Sequence, residues 1–288
     1  MSEAMKTGLV LEGGAMRGIY TAGVLDVFLE HGITFDGVIG VSAGALHGCS
    51  YISGQKGRSL RYYMKYRANK HFMSFYSLLR TGEVVGEKFC YHDIPERLDP
   101  YDYQAFLKSP AKFYAVCTNV ETGKAEYIRI TDMLGQVDVL RASASMPYVS
   151  RIVHFQGKKL LDGGCADSIP VKAFRGMGYQ KTVVVLTRDA GYRKKPENIR
   201  LAKAFYGRYP EFVKTLRQRY LVYNRTLEEI RKLEKEGEIF VIRPSVRLNI
   251  GRMEKDLQKI REVYEIGRKD AQRQICALKS WLGKNQEK

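Results

Sequence analysis

Gly40-Val41-Ser42-Ala43-Gly44 decides how this chain is read. An apolar run, Gly37-Val38-Ile39, leads into it, and a small-residue stretch, Ala43-Gly44-Ala45-Leu46-His47-Gly48-Cys49, leads away. The pattern predicts a strand, a sharp turn carrying a serine, and a helix, the context of a nucleophile elbow. A serine held in so tight a turn needs small neighbours, and Gly40 and Gly44 let strand and helix pass closely. Its hydroxyl then sits at a helix N-terminus, where the dipole favours developing negative charge. Taken alone, G-x-S-x-G is also an ordinary glycine-rich turn, so its neighbours must decide.

Upstream, Thr7-Gly8-Leu9-Val10-Leu11-Glu12 reads as a first buried strand running into Gly13-Gly14-Ala15-Met16-Arg17-Gly18. A helix from Ile19 to about His31 follows, with Ala22, Val24, Leu25, Phe28 and Leu29 on one face and Gly32 as its C-cap. Strand, glycine loop and helix first call to mind a nucleotide site. The spacing is not G-x-G-x-x-G, however, and no G-K-[ST] follows. Such a loop also offers backbone N–H groups to an oxyanion, with Arg17 as a nearby cation.

Downstream, Arg58 to Arg80 interleaves bases with aromatics and reads as two short helices packed on the sheet. Lys65, Arg67 and Lys70 there are candidates for contact with lipid headgroups, as part of an interfacial lid. Glu83 to Leu98 reads as short strands or loop around Val84-Val85 and Phe89-Cys90-Tyr91. Lys112–Asn119 and Lys124–Ile130 flank Glu121-Thr122-Gly123 as a hairpin. A helix is expected over about Asp132–Ser145. A second hairpin, Arg151–Phe155 with Lys158–Leu161, delivers Asp162-Gly163-Gly164, which suits a close approach of backbone to a site but by itself reads first as a plain Asp-Gly turn. A short helix beginning at Ile169-Pro170-Val171 and ending near Gly176 follows, then a buried strand, Lys181–Thr187. Helices over Ile199–Tyr206 and Pro210–Glu236, a strand over Glu238–Pro244 and a helix over Met253–Leu282 complete the chain before a charged tail, Lys284–Lys288. Strands alternating with helices predict an α/β fold with a mostly parallel central sheet.

The 288 residues carry a net charge of +17, unevenly spread. Residues 1–180 hold 21 Lys and Arg against 17 Asp and Glu, a net of +4; residues 181–288 hold 27 against 14, a net of +13. The basic third is either a solvated helical surface or one that meets an anionic membrane or nucleic acid. No helix-turn-helix, zinc-finger, RRM or KH signature supports nucleic acid. No run approaches the roughly 18 apolar residues of a membrane span, and the N-terminus lacks signal-peptide anatomy, so a cytoplasmic, at most membrane-peripheral protein is expected. Five scattered cysteines without a CxxC read as free thiols, not a metal site.

A serine nucleophile needs a base. All five histidines (His31, His47, His71, His92, His154) precede Asp162, which does not fit the Ser, acid, His order of α/β-hydrolases. His47 lies five residues beyond Ser42 on the same helix and is a poor partner. A Ser-Asp dyad is the economical alternative, with the carboxylate taking the serine proton directly.

Gly13-Gly14-Ala15-Met16-Arg17-Gly18, Gly40-Val41-Ser42-Ala43-Gly44 and Asp162-Gly163-Gly164, in that order, resemble the three signature blocks of the patatin-like phospholipases. Ala142-Ser143-Ala144-Ser145-Met146-Pro147 resembles the A-S-x-A-x-P segment those proteins carry ahead of the third block. The resemblance covers about residues 7–190. The overall length and basic helical C-terminus are similar to those of a bacterial branch of the family. It implies a three-layer α/β/α catalytic domain over residues 5–190 and a basic helical extension over 191–288, packed on that domain or continuous with it. It further implies Ser42 as nucleophile, Asp162 as general base with basicity raised by desolvation, and an oxyanion hole from the N–H groups of Gly13, Gly14 and Ala15 with Arg17 beside it. Gly18, Gly40, Gly44, Gly163 and Gly164 support the motifs. The implied activity is metal- and cofactor-free hydrolysis of lipid acyl esters, with a lipid acyltransferase using the same dyad as the nearest alternative. Ala15 stands where many members have glycine, which is tolerable if its φ is negative.

Overall fold

The side chains of β1 (Thr7–Leu11) point alternately to the two faces of a sheet and are buried on both: Leu9 and Leu11 join one core and Val10 the other. The computed structural model describes residues 5–283. After β1 come β2 (Gly37–Val41), β3 (Lys112–Asn119), β4 (Ala125–Ile130), β5 (Val153–Phe155), β6 (Lys158–Asp162), β7 (Lys181–Val185) and β8 (Ile239–Ile242). All belong to one sheet in the order β5-β6-β3-β2-β1-β7-β8, with β4 also paired to β3. The five-strand run β3-β2-β1-β7-β8 is parallel, and β4, β6 and β5 add antiparallel pairings. A strand buried on both faces reads as a continuous apolar run, as Val183-Val184-Val185 does in β7.

The helices are α1 (Ile19–Glu30), α2 (Ala43–Ile52), α3 (Arg58–Tyr66), α4 (Phe75–Thr81), α5 (Tyr103–Lys108), α6 (Val137–Ser143), α7 (Val171–Gly176), α8 (Ile199–Tyr206), α9 (Pro210–Lys235) and α10 (Leu257–Gly283). One face of the sheet is covered by α1, α2 and α10, through residues such as Tyr20, Val24, Ala45, Ile260 and Ala271. The other is covered by α7 and α9, through Phe174, Tyr223, Leu227 and Ile230. This is a three-layer α/β/α arrangement. Strand β8 comes from the basic C-terminal third yet lies in the same sheet as β1.

Two glycines let α1 and α10 cross at very short range. A Cβ on Gly23 would lie 2.2 Å from the Tyr264 carbonyl oxygen, and one on Gly267 would lie 2.1 Å from that of Tyr20. Polar side chains clasp the crossing: Tyr264 donates to Asp26 at 2.7 Å and Arg268 makes a two-pronged pair with Glu30. Because the obstacle is backbone, a larger residue cannot be accommodated by a rotamer change. Gly267→Val is expected to destabilise the fold by about 3 kcal/mol, read as a lower urea midpoint with an unchanged slope. A midpoint equal to that of the parent chain would mean that α10 does not depend on this contact.

Most expected elements are present, with shorter ends. Two differ. The helix expected over 132–145 is helical only over Val137–Ser143, because Gln136 turns back to accept N–H groups of Thr131 and Asp132. Phe89–Leu98, read as strand or loop, is a wide helical segment containing Pro95; of the stretch 83–98 only Val85 forms a strand-like bridge, to Met73. Tyr91 and Ile94 are buried there, so an apolar run that looked strand-like is the buried side of a helix. The five cysteines are free thiols, and the tail Lys284–Lys288 lies outside the described residues.

Candidate active site

The strand register brings Ser42 and Asp162 together. β2 runs parallel to β3 and ends with Val41 opposite Val116. β4 occupies the other edge of β3 through Thr118, so β6 must add on the edge that β2 vacates. It does so with Asp162 opposite Cys117, one residue beyond Val116. Ser42 leaves β2 at that same level. A residue 120 positions away in sequence therefore becomes the neighbour of the elbow.

Ser42 has φ 54° and ψ −123°, a strained conformation for a residue with a side chain. The surrounding glycines are needed for close approach: a Cβ on Gly40 would lie 2.5 Å from the Ala45 backbone, and one on Gly44 would lie 2.5 Å from the Leu11 carbonyl oxygen. Ser143 secures the turn, accepting the Ser42 N–H at 2.9 Å and donating its own hydroxyl to the Val116 carbonyl at 2.7 Å. The Ser42 carbonyl then accepts from Ala45 and Leu46 to open α2.

Asp162 is buried, and its Oδ1 accepts the Gly164 N–H at 2.7 Å. Its backbone is pinned by Ser145, which accepts the Asp162 N–H, and by Thr118, which donates to the Asp162 carbonyl. Burial raises the carboxyl above the usual aspartate range; Arg219, the Ser42 hydroxyl and the Gly164 N–H pull it partly back down. Gly163 has no room for a side chain, since a Cβ would lie 2.2 Å from the Val116 carbonyl oxygen.

The glycine loop completes the cluster. A Cβ on Gly13 would stand 3.2 Å from Ser42 Cβ, and one on Gly18 2.5 Å from Ala43 Cβ. Neither Gly13 nor Gly14 donates its N–H to a group of the described residues, leaving both free for a ligand. Ala15 does not meet the condition of a negative φ: at φ 47° it lies in the left-handed region, a strained place for alanine, because the chain must turn there from strand into the short helical turn Ala15–Gly18. Burial lowers the Arg17 guanidinium, with like-charged Arg188 adding to the effect.

Ser42, Ala15 and Met146 lie where two cavities meet. The first, about 1040 Å³ including its open mouth, is apolar and lined by residues such as Leu46, Tyr63, Phe72, Tyr91, Ile94 and Leu140. The second, about 850 Å³ measured the same way, is polar and holds Gly13, Gly14, Arg17 and Asp162. No histidine lines either. His47 is buried against Ser59 at 3.0 Å, and desolvation drives its pKa down to about 3, so it stays a neutral core residue.

The basic face expected to meet headgroups needs one correction. Arg67 is buried and its guanidinium donates to the carbonyls of Met73, Met253 and Glu254, so it braces the fold. Sequence reasoning also missed Ser143, Glu12 and Arg219. Glu12 is buried, accepting from the Thr187 N–H at 2.5 Å and the Tyr223 hydroxyl at 2.6 Å. Arg219 reaches from α9 to the Gly164 carbonyl at 2.6 Å. Only the A-S-A-S-M-P run gave any signal for Ser143.

An α/β sheet with an elbow serine, a buried carboxylate and a glycine loop beside an apolar cavity defines a class, the lipid ester hydrolases. Residues 9–175 match the patatin-like phospholipase family, and the chain belongs to it. Residues 209–283 match a domain of unknown function, DUF6363. The uncharacterized protein YjjU of Escherichia coli K12 is 28% identical over 268 residues, covering 91% of this chain and 75% of that protein. Lysophospholipase nte1 of Aspergillus terreus is 27% identical over 190 residues, covering 64% of this chain; the chain spans only 12% of that protein's length. The solved structure of VipD from Legionella pneumophila aligns with a TM-score of 0.45 at 12% identity, over 95% of this chain and 67% of that one. Among the described residues no helix is long and apolar enough to cross a membrane.

Proposed function

We propose that this protein hydrolyses carboxylic esters of lipids through a Ser42–Asp162 dyad and an acyl-enzyme intermediate. The observation that carries the reading is the convergence of the Ser42 hydroxyl, the Asp162 carboxylate and the free Gly13 and Gly14 N–H groups where an apolar cavity opens into a polar one. The acyl chain occupies the apolar cavity, where burial of each methylene contributes about 0.8 kcal/mol. Ser42 Oγ attacks the ester carbonyl while Asp162 accepts its proton. The tetrahedral oxyanion forms against the Gly13, Gly14 and Ala15 N–H groups, with the Arg17 charge nearby. Asp162 returns the proton to the departing alcohol, leaving the acyl group on Ser42. Water, deprotonated by Asp162, then releases the acid and restores the serine.

Labelling with a fluorophosphonate probe tests this reading. The intact protein should take one label, and the Ser42→Ala protein none. Label retained after Ser42→Ala would move the nucleophile elsewhere and end the proposal. Product analysis with glycerol present then separates free acid, the hydrolase product, from an acyl-glycerol, the transferase product.

A further inference from the structure

Helix α9 lies beyond the residues matched to the patatin family and falls wholly within the domain of unknown function. Two of its side chains, one turn apart on the same face, reach the two loops that carry the candidate chemistry. Arg219 Nε donates to the Gly164 carbonyl at 2.6 Å, in the turn that follows Asp162. Tyr223 donates its hydroxyl to Glu12 Oε1 at 2.6 Å, and Glu12 immediately precedes Gly13 and Gly14. The other Glu12 oxygen accepts the Thr187 N–H at 2.5 Å. Tyr223 and Glu12 are both buried, where a carboxylate is costly unless donors surround it. Burial, with Glu12 beside it, pushes the Tyr223 phenol up, so it stays protonated and keeps donating. A Cβ on Gly14 would lie 2.8 Å from Thr187 Oγ1, and one on Gly13 3.0 Å from the Val41 carbonyl oxygen. The glycine loop is therefore wedged between the ends of β2 and β7, and Glu12 fixes where it enters. Arg219 in turn faces Asp162 across Gly164: a Cβ built on Gly164 would lie 3.0 Å from Asp162 Oδ1 and 3.4 Å from Arg219 Nη2. The ion pair of Arg219 is with Glu197, at 3.4 Å.

We propose that α9 is a positioning element of the active site, Tyr223 setting the Gly13 and Gly14 N–H groups through Glu12, and Arg219 setting the Asp162 carboxylate through the Gly164 turn. This rests on the dyad reading above and deepens it: the region of unknown function completes the catalytic machinery as well as covering the sheet. The two contacts differ in kind. Tyr223 is neutral and acts by geometry alone. A displacement of about 1 Å at a group that must meet the transition state is enough to cost about 100-fold in rate. Arg219 acts by geometry and by charge. Against the upward push of burial, its guanidinium lowers the Asp162 carboxyl, which favours the ionised form that can accept a proton. The other titratable groups facing Asp162 are Lys194 from the loop before α8, Cys117 from β3 and Cys165 from the turn after β6.

The test uses the full chain and two readouts taken across pH, the rate of fluorophosphonate labelling and the steady-state hydrolysis of p-nitrophenyl butyrate. Tyr223→Phe is expected to lower kcat and the labelling rate about tenfold or more, with KM within about twofold of the parent and the acid limb of the pH profile unmoved. Arg219→Gln is expected to lower both rates and to move the acid limb to higher pH, so that its deficit is about tenfold larger at acid than at alkaline pH. Arg219→Lys keeps the charge and should return the limb towards its parental position. Leu227→Ala is the control: its side chain packs in the core one turn further along α9. It should lower the urea midpoint at least as much as Tyr223→Phe, yet leave kcat and the limb of the folded protein at parental values. A folded Tyr223→Phe or Arg219→Gln protein that matches the parent in kcat and pH profile overturns the proposal and leaves the dyad standing. So does a folded Leu227→Ala protein that loses as much kcat as Tyr223→Phe, since α9 would then act only as structural support. Should Arg219→Gln fail to fold, the kcat and KM of Tyr223→Phe against Leu227→Ala decide the matter alone. A parent protein that neither takes label nor hydrolyses the ester removes the dyad reading, and this inference with it.

Discussion

Asp162→Asn is expected to cut ester turnover by about 10⁴-fold and to raise the stability of the fold at neutral pH. The substitution keeps the shape of the side chain, and the amide oxygen can still accept the Gly164 N–H. What it removes is the capacity to take a proton from Ser42. The stability gain has a separate cause. Burial raises the Asp162 carboxyl above its ordinary value, so the folded state holds its proton more tightly than the unfolded chain does. Stability from such a group is present at low pH and is lost as pH rises through the raised value. The parent protein bears that cost at pH 7 and the asparagine variant does not. The difference in Tm between the two should shrink as pH falls below the usual aspartate range. In the parent, kcat/KM should rise with pH along an acid limb displaced upward from that range. An asparagine variant with parental turnover would remove Asp162 from the chemistry. A Tm advantage that persists unchanged at low pH would remove the buried charge as its source.

Ser42→Gly should show the same opposition between activity and stability for a different reason. The backbone at residue 42 has φ 54° and ψ −123°, where a side chain costs about 1–3 kcal/mol and glycine almost nothing. Against this stands glycine's greater entropy loss on folding, about 0.5–1 kcal/mol. The net expectation is a gain of about 1 kcal/mol, visible in chemical denaturation, with ester turnover reduced about 10⁴-fold or more. The Ser143 hydroxyl keeps its hold on the residue 42 N–H in the variant, since residue 42 contributes only its backbone to that bond. A variant less stable than the parent would mean that the elbow is not strained. One that still turns over ester at the parental rate would mean that residue 42 carries no nucleophile.

Much of the elbow was legible because its requirements are local. A strand followed by a left-handed turn and a helix admits few residues, and the constraint falls on positions two apart, so Gly40, Ser42 and Gly44 announce it. The glycine loop and the Asp-Gly-Gly run are legible for the same reason: Gly18, Gly44 and Gly163 are each required by a backbone or small side chain within 2.6 Å of a would-be Cβ. The helical segment Phe89–Leu98 was not legible, since a short apolar run satisfies a strand and the buried side of a helix equally well. The sign of φ at Ala15 was not legible either, because it depends on how the loop turns against β2.

By itself, the order of residues determined the alternation of strands and helices, the small-residue turns and the chemistry available at Ser42 and Asp162, all of which follow from short-range sterics and periodicity. Only the tertiary structure decided that β6 takes the edge of β3 that β2 leaves empty, which turns a separation of 120 residues into contact. It also decided which of the many bases in the C-terminal third face inward. In sequence Lys194, Arg219 and Arg252 look like any other solvated charge; α9 and the loops before α8 and α10 carry them over the C-terminal edge of the sheet to a single cavity. A charge acts through space, and its neighbours there are set by packing, which sequence proximity does not encode.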